Sequence, residues 1–318
     1  MKVIGTGSYL PDCVITNEAL TGMVDTSDEW IQSRTGIKER RVSGGEENTQ
    51  FAIKAARKAL ENSGLKPDDI GLIIVATATS DYVTPSVACF VQEALNISNA
   101  IAFDINAACA GFVYALNTAY CYLNAGMAEN ALIIGSETLS KITDYSDRAT
   151  CVLFADASGA AVVRRKDKKD FISELGADGT KNQVIHCKHR PISNCVIKND
   201  CKIDYLHMDG REVYKFVVKE IPALITRVIE KSNIEIDDVK YFILHQANKR
   251  MNETIAKNLG LSFDKFPCNL DRTGNTSAAS VPVLLDEVNR KGMLSSGDHI
   301  VICSFGAGMT WGAILLEW

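Results

Sequence analysis

Two stretches of this 318-residue chain match each other, and this internal repeat constrains the fold more than any other feature. LKPDDIGLIIVATAT, from Leu65, matches IEIDDVKYFILHQAN, from Ile234. In each stretch an acidic turn leads into an apolar run that is typical of a buried strand. AGMAENALIIGSE, from Ala125, matches KGMLSSGDHIVICSF, from Lys291, in the same order and at nearly the same separation. The repeat predicts two similar halves related by a pseudo-two-fold axis.

Strand-like and helix-like patterns alternate along both halves. Residues 46–63 carry Ala, Ile and Leu at helical spacing and are followed by Gly64, which predicts a helix and its end. The apolar run from Leu72 predicts a strand, and residues 111–125 predict a long apolar helix. This alternation is typical of an α/β fold in which helices cover both faces of each sheet.

The two halves are predicted to span residues 1–167 and 168–318. Their join falls near the charged run RRKDKKD at 164–170, which predicts a solvated hairpin or loop rather than a binding site.

Composition and charge exclude several classes of protein. The net charge of −5 disfavours a globally basic nucleic-acid binder. No apolar run reaches the roughly 18–20 residues that a membrane-spanning helix needs, and MKVIGTGSYLPDC is too short and interrupted for a signal peptide. We therefore expect a cytoplasmic protein whose ten cysteines are mostly buried free thiols.

One stretch, HCKHRPISNCVIKNDC at 186–201, is dense in cysteine and histidine. It could be a metal site, but it lacks the paired C-x-x-C spacing of zinc sites. A surface loop with incidental thiols is the simpler interpretation, and no metal is predicted.

Cys109 lies in DINAACAGFVYAL, between a strand-like run and a helix, with only small residues beside it. A thiol at the first turn of a helix lies near the positive end of the helix dipole, which predicts a lowered pKa. The small neighbours leave room for a substrate carbonyl. The alternative is an inert buried cysteine.

His245 is the best catalytic candidate among the five histidines, because it ends a predicted buried strand shortly before a helix. Ligands bind at such strand ends in α/β folds. The polar run at 246–250 argues against deep burial, whereas the alternative is a core histidine bonded to a backbone carbonyl.

Asn275 lies in a Gly-Asn turn before a helix, where it could be a functional donor or an ordinary N-cap.

Gly306 and Gly308 form a turn that could present backbone N–H groups to a ligand or make a tight hairpin. Together with Cys109 and His245, these features favour acyl transfer to a thiolate, with His and Asn steadying a second substrate's oxyanion.

Seven motifs, in order, resemble the β-ketoacyl-acyl carrier protein synthase III family of the thiolase superfamily. They are TSDEWIQSRTGIKERR, AACAGFVYAL, DRATCVLFADASGAAVV, MDGREVYKF, HQANKRM, and GNTSAASVPVLLDE with FGAGMTWG. The resemblance covers essentially the whole chain. It implies duplicated thiolase-like halves layered α-β-α-β-α, with the cysteine in the first half and the histidine and asparagine in the second.

For the reaction centre, the resemblance implies that Cys109 accepts the acyl group. His245 and Asn275 match the pair that drives malonyl decarboxylation and stabilises the enolate. Phe305 matches the aromatic residue that shields the malonyl carboxylate. The backbone N–H groups of Cys109 and Ala307 would form the oxyanion hole.

For coenzyme A, Trp30 and Arg148 match the residues that sandwich the adenine. Arg34, Gly210 and Asn248 match other contacts along the tunnel that holds the rest of the molecule. Coenzyme A thioesters are then substrates, and no metal or redox cofactor is required.

For the protein partner, Arg250, with Lys249 beside it, matches the basic docking patch for acyl carrier protein, which is strongly acidic. The implied reaction is a ping-pong condensation. An acyl-CoA loads Cys109, and malonyl-acyl carrier protein then loses carbon dioxide and attacks the thioester, initiating fatty acid biosynthesis.

Thr84 departs from the family pattern, which often has Phe just before the Pro-Ser pair. The resemblance implies a homodimer in which this residue reaches the acyl pocket of the partner subunit. The smaller side chain predicts primers longer than acetyl, including branched ones.

Other functions remain open from the sequence alone. A condensing relative of secondary metabolism, of the quinolone or polyketide-starter type, uses the same Cys, His and Asn. A non-catalytic acyl-CoA-binding protein with a decayed site belongs to a different class. A hydrolytic thioesterase would need a base for water, which the triad does not supply.

Overall fold

The computed structural model describes residues 1–166, 171–189, 191–199 and 204–318. The strands of the described chain are β1 (Lys2–Tyr9), β2 (Cys13–Thr16), β3 (Glu39–Val42), β4 (Leu72–Ala76), β5 (Ile101–Ile105), β6 (Asn130–Thr138), β7 (Asp156–Arg164), β8 (Phe171–Ala177), β9 (Ile185–His186), β10 (His207–Met208), β11 (Val239–Leu244), β12 (His299–Gly306) and β13 (Thr310–Glu317). The helices are α1 (Asn17–Thr21), α2 (Asp28–Thr35), α3 (Asn48–Ser63), α4 (Val87–Ala94), α5 (Gly111–Asn124), α6 (Arg148–Cys151), α7 (Gly210–Glu230), α8 (Lys249–Asn258), α9 (Leu270–Thr273) and α10 (Ser280–Arg290).

Two mixed sheets share one topology. The first has the order β1-β7-β6-β4-β5 and the second the order β8-β13-β12-β11. In each, a parallel pair, β4 with β6 or β11 with β12, continues through two antiparallel neighbours. β5 is an extra parallel strand at the edge of the first sheet. The predicted duplication is therefore visible in strand order and direction.

The two halves also share their local turns. A short 3-10 helix with a capping box, at Pro67–Asp69 and again at Ile236–Asp238, leads into the first parallel strand of each half. Gly126 and Gly292, with φ of 74° and 65°, follow the central helices α5 and α10 before the second parallel strand. Glycine adopts positive φ at little cost, so these two positions explain why Gly-Met recurs in the repeat.

The helices form three layers around the sheets. α3 packs on β1, β7 and β6, and α7 packs on β13 and β8. α5 and α10 lie between the sheets, because each contacts strands of both. Their buried apolar side chains join those of the two sheets in one core cluster, with further clusters under the outer helices. This α-β-α-β-α layering confirms the predicted fold class.

Element bounds differ slightly from the sequence-based ones. The helix expected at 46–63 begins at Asn48, because Glu47 is its N-cap and forms a capping box with Gln50. It ends at Gly64, with φ of 69°, as expected. The join at 164–170 is described only to residue 166, so the boundary between 167 and 168 lies outside the described residues.

Within the described ranges, no helix combines the length and apolar character that crossing a bilayer requires.

Candidate active site

A cavity of about 1070 Å³ is lined by residues of both halves. The predicted residues that line it are Trp30, Arg34, Cys109, Arg148, Gly210, His245, Asn248, Asn275, Phe305 and Ala307. The 3-10 turns that precede the central helices α5 and α10 contact each other at this cavity. Ala108 and Ser277, the first residues of these turns, have φ of 47° and 49°. Both turns therefore begin with the same left-handed backbone kink.

Cys109 is held by the end of β12. Its carbonyl oxygen accepts a hydrogen bond from Ser304 Oγ at 2.6 Å. Gly306 packs so tightly that a Cβ built there would lie 2.6 Å from the Cys109 amide nitrogen. Thr310 Oγ1 donates to the carbonyl oxygens of Ala107 (3.0 Å) and Ala307 (2.9 Å). The turn that contains Ala307 is therefore tied to the segment that contains the thiol.

The pKa predicted for Cys109 has the wrong direction. Burial raises the pKa of the thiol to about 12, and the negative charge of Glu137 also raises it, while a hydrogen bond with Ser277 lowers it. Transferring the thiolate out of water costs more free energy than the dipole of the nearby helix α5 supplies, because that dipole consists only of partial charges. Cys109 is therefore a neutral thiol at pH 7.

His245 follows β11 and its side chain is 1% exposed, so the expectation of a shallow position is wrong. Gln246, the first residue of the polar run, is buried as well, and the run is exposed only from Lys249, where α8 begins. Burial lowers the pKa of His245 to about 3, and the imidazole is neutral at pH 7. Its Nδ1 lies 2.5 Å from Ser280 Oγ, and its ring meets that of Phe305 edge-on at 5.2 Å.

Asn275 serves as a local cap and also lines the cavity. Its backbone N–H donates to the Leu153 carbonyl and its carbonyl accepts from the Ala155 N–H, both at 2.9 Å. Its Oδ1 accepts from the Ser277 N–H at 3.0 Å, which leaves Nδ2 as a donor on the cavity side. The two interpretations of Asn275 from sequence are therefore compatible.

The residues that the resemblance assigns to coenzyme A also line the cavity. The Arg148 guanidinium lies over the Trp30 ring, 4.8 Å from its centroid. Asn248 Nδ2 donates to the Arg34 carbonyl at 2.9 Å, which ties α2 to the start of α8. Gly210, which begins α7, also lines the cavity. An aromatic ring bound between Trp30 and Arg148 would require the pair to separate, since each face needs about 3.5 Å.

Lys249 and Arg250 lie outside the cavity. Both are exposed in the first turn of α8, directly after Asn248 at the mouth, and Lys249 forms an ion pair with Glu253 at 3.7 Å.

Thr84 is also exposed and does not line the cavity of its own chain. Its neighbour Val83 is 87% exposed.

The described part of the segment at 186–201 is mostly an exposed irregular loop, as predicted, and its first residue, His186, ends β9. His186, Cys187, Lys188 and His189 line the mouth of the cavity, and the His186 ring stacks on that of His207 with centroids 5.1 Å apart. Cys201 lies outside the described residues. Within the part that is described, no cluster of three His, Cys, Asp or Glu side chains could hold a metal ion.

Sequence reasoning missed three residues beside the predicted ones. Glu137 is fully buried at the end of β6, Ser277 contacts it, and Ser280 contacts His245. An acidic residue at the end of the apolar run ALIIGSE was the available signal for Glu137. The serines carried no separate signal, because small hydroxyl residues are common at helix starts.

Duplicated α/β halves that bring a cysteine, a histidine and an asparagine to one cavity define the thiolase-like class of condensing enzymes. Comparison with known proteins narrows this class. The family model described as 3-Oxoacyl-[acyl-carrier-protein (ACP)] synthase III matches residues 103–179, and its C-terminal counterpart matches residues 229–318.

Individual relatives agree with the family models. Beta-ketoacyl-[acyl-carrier-protein] synthase III of Clostridium acetobutylicum is 49% identical over 320 residues, which cover 100% of this chain and 98% of that protein. The crystal structure of 3-oxoacyl-[acyl-carrier-protein] synthase III from Aquifex aeolicus has a TM-score of 0.92 and 43% identity, covering 100% of this chain and 99% of that one. The priming β-ketosynthase of the R1128 polyketide pathway has a TM-score of 0.93 and 31% identity, covering 99% of this chain and 95% of that one. The chain belongs to the 3-oxoacyl-[acyl-carrier-protein] synthase III family and is a condensing acyltransferase.

Proposed function

We propose that this protein condenses an acyl-CoA primer with malonyl-acyl carrier protein to give a 3-oxoacyl-acyl carrier protein, the initiating step of fatty acid biosynthesis. One observation carries the proposal. Cys109, His245 and Asn275 line one cavity, in a chain that is 49% identical to a synthase III over its full length. We place the reaction in the cytoplasm, with the coenzyme A thioesters as substrates and no metal or redox cofactor.

In the first half-reaction, Cys109 Sγ attacks the thioester carbonyl of the acyl-CoA. A new carbon–sulfur bond forms, the bond to the coenzyme A sulfur breaks, and coenzyme A leaves with a proton. The backbone N–H groups of Cys109 and Ala307 hold the oxyanion. Trp30 and Arg148 hold the adenine at the mouth, and Arg34, Gly210 and Asn248 contact the rest of coenzyme A.

In the second half-reaction, malonyl-acyl carrier protein loses carbon dioxide, and its carbanion attacks the Cys109 thioester. His245 and Asn275 donate hydrogen bonds to the enolate oxygen. Support comes from the neutral imidazole and from Asn275 Nδ2, which faces the cavity. Nδ1 and Ser280 Oγ share a hydrogen bond of 2.5 Å, and the proposal assigns its proton to the hydroxyl, which puts the ring proton on Nε2, where a donor is needed. The Phe305 ring shields the malonyl carboxylate.

The carrier protein docks on Lys249 and Arg250. Their exposure beside the mouth supports this placement, because a strongly acidic partner is steered by basic side chains near the entrance.

The acyl pocket is completed by a second copy of this chain. In the proposed homodimer, Thr84 reaches the partner subunit's pocket and leaves space for primers longer than acetyl, including branched ones. The exposed apolar side chains of Tyr82 and Val83 next to it support an interface at this segment.

The test is loading with a panel of acyl-CoAs, from acetyl to long-chain and branched, followed by intact-mass measurement. A mass gain equal to the acyl group should appear on the peptide that contains Cys109 and be absent in Cys109→Ala. Cys121→Ala, which removes an exposed thiol elsewhere, is the matched control and should load normally. Absence of an adduct with every acyl-CoA would contradict the proposal and favour a non-catalytic acyl-CoA-binding protein.

A polyketide-priming role is the second candidate, favoured by the structural similarity to the R1128 priming ketosynthase. The lower identity to that enzyme, 31% against 49%, supports the fatty acid role. Product formation from malonyl-acyl carrier protein but not from malonyl-CoA would argue against a starter enzyme that uses free malonyl-CoA.

A further inference from the structure

Glu137 is a fully buried carboxylate near the end of β6, behind the cavity wall. The hydroxyls of Thr77 (3.4 Å) and Thr79 and the Ala78 N–H (3.2 and 3.3 Å) donate to its two oxygens. The hydroxyl of Ser277, which belongs to the other half and lines the cavity, donates to Oε1 at 3.1 Å. The carboxylate is therefore fixed within its own half and holds a turn of the second half.

Ser277 links this carboxylate to the amide of Asn275. Its hydroxyl donates to Glu137, while its backbone N–H donates to Asn275 Oδ1 at 3.0 Å. Because an N–H group can donate only to the oxygen of an amide, this second bond decides which end of the Asn275 side chain is the acceptor. It leaves Nδ2 as the donor for the cavity, where the proposed reaction needs one.

The turn at Ser277 is held in an unfavourable conformation. Ser277 has φ of 49°, a left-handed value that residues other than glycine adopt only when their surroundings impose it. Gly135 of β6 packs so closely on this turn that a Cβ built there would lie 2.2 Å from the Ala278 carbonyl oxygen. The hydrogen bond to Glu137, two residues farther along the same strand, is a second point at which β6 holds the turn.

The first half contains the same turn, with its own bonds to the opposite half. Ala108 has φ of 47°, and its N–H donates to Asn106 Oδ1 at 3.1 Å. Ala108 has no hydroxyl, and the backbone carbonyls of its turn accept instead from the hydroxyls of Ser304 and Thr310 in the second half. The turn of the second half is bonded to the first half through a side chain, that of Ser277. Each turn that carries a reacting side chain is thus bonded to the opposite half.

We propose that Glu137 is a positioning residue, which acts through Ser277 and holds Asn275 with Nδ2 toward the enolate oxygen. This inference rests on the proposed function and deepens it, because it names the groups that orient a donor of the second half-reaction. Without this hold, Asn275 could turn Oδ1 toward the cavity, and an acceptor there would repel the enolate and slow decarboxylation. Cys109 is held by β12 instead, so acyl loading would continue.

The experiment measures the two half-reactions separately in Ser277→Ala and Glu137→Gln. Ser277→Ala removes the hydroxyl but keeps the N–H, and Glu137→Gln leaves one amide oxygen for four donor groups. Loading from acyl-CoA is followed by rapid-quench mass spectrometry, and carbon dioxide release from malonyl-acyl carrier protein is followed on the preloaded enzyme.

The two half-reactions should respond differently in both variants. The kcat for carbon dioxide release should fall at least about tenfold, because small displacements of a catalytic group have effects of this size or larger. Acyl loading, and the KM for malonyl-acyl carrier protein, should stay within about threefold of wild type.

A second measurement tests whether the effect passes through Asn275. The Asn275→Ala variant has no amide to orient, so adding Ser277→Ala to it should lower carbon dioxide release by less than about twofold further. Independent effects would multiply instead. A bond that merely stabilised the fold would lower the activity of the Asn275→Ala enzyme as well, so the double variant separates positioning from stability.

Asp286→Asn is the matched control. Asp286 is another buried carboxylate that accepts hydroxyl hydrogen bonds across the two halves, from Thr6 (2.9 Å) and Ser8 (2.5 Å). It pairs with Arg290 on its own helix rather than with the Ser277 turn. Both half-reactions should stay within about threefold of wild type in this variant.

The outcomes distinguish the positioning role from the overall function. Wild-type carbon dioxide release in both Ser277→Ala and Glu137→Gln would overturn the positioning role and leave the proposed function intact. Equal losses in loading and in carbon dioxide release would overturn it too, because they would indicate general damage to the cavity, as would a multiplied loss in the Asn275→Ala background. Failure of the wild-type protein to load any acyl-CoA would instead overturn the proposed function.

Discussion

At the scale of single residues, burial determines the charge state in which the reacting groups begin. Cys109 and His245 are both neutral at pH 7, because the cavity wall raises the pKa of the thiol and lowers that of the imidazole. Neutral His and Asn donors suit the stabilisation of an enolate, since decarboxylation supplies the carbanion without a strong base. A thiol that begins protonated, in contrast, must lose its proton in the step that it performs.

The raised pKa of Cys109 predicts its reactivity toward iodoacetamide. Only the thiolate reacts, and below the pKa its fraction increases with pH, so the alkylation rate should rise about tenfold per pH unit from 6 to 9 without a plateau. Quantitative mass spectrometry of the Cys109 peptide measures the rate, with the exposed Cys121 as the standard for reagent activity. A plateau below pH 8 would show that the helix dipole outweighs burial.

Glu137 predicts a pH-dependent cost in stability. Its folded pKa is about 7, above the model-peptide pKa of about 4.3, so the folded state binds more protons between these values and loses stability as the pH rises through this window. The melting temperature of Glu137→Gln relative to wild type should therefore rise between pH 4 and pH 8. Calorimetry at both pH values measures the difference, and a difference that does not change with pH would contradict the assignment.

At the scale of elements, the site depends on how closely β12 approaches the 3-10 turn that contains Cys109 and precedes α5. Gly306 allows that approach, since any side chain there would overlap the Cys109 backbone. Ser304, two residues earlier, fixes the Cys109 carbonyl. Cys109 is thus positioned by a strand of the other half rather than by its own helix alone.

Gly306→Ala should damage both stability and loading. Its Cβ would lie 2.6 Å from the Cys109 nitrogen, which forces the strand and the turn apart and should cost about 1–3 kcal/mol of unfolding free energy. Denaturant unfolding and the acyl-loading rate measure the two effects. Gly179→Ala is the matched control, because no atom lies within 4 Å of the added Cβ, and a loss of similar size there would refute the steric explanation.

The sequence predicts elements better than it predicts the contacts between them. The repeats beginning at Leu65 and Ile234 specify their acidic turns and strands locally, and both form as expected. The pKa of Cys109 was predicted in the wrong direction, because burial by the opposite half is not encoded next to the cysteine. Glu137 was missed for the same reason, since its partner Ser277 is 140 residues away along the chain.

At the scale of the whole molecule, the proposed homodimer makes substrate choice depend on a second copy of the chain. Thr84 is exposed at a loop that does not border its own cavity. The proposed homodimer would bring this loop to the partner subunit's pocket. Pocket depth would then be a property of the dimer, and residues of one copy would select the primer of the other.

Thr84→Phe should therefore shorten the accepted primer. The larger ring would fill the deep end of the pocket, so loading of longer and branched acyl-CoAs should fall at least about tenfold relative to acetyl-CoA, while acetyl loading persists. Competition loading with mixed acyl-CoAs measures the ratio, and Thr84→Ser is the matched control. A strict preference of the wild-type protein for acetyl-CoA, or a monomer in analytical ultracentrifugation, would contradict the proposal.

The contact between the two kinked turns before α5 and α10 has a consequence for synthesis of the protein on the ribosome. The thiol and its histidine and asparagine partners come from opposite halves, and Ser277 begins its turn only near the end of the chain. A nascent chain that has folded its first sheet still lacks the partners of Cys109. On the proposed mechanism, catalytic competence would therefore arise only after the second half has been translated and has packed on α5, so a truncated product would be unable to complete the condensation.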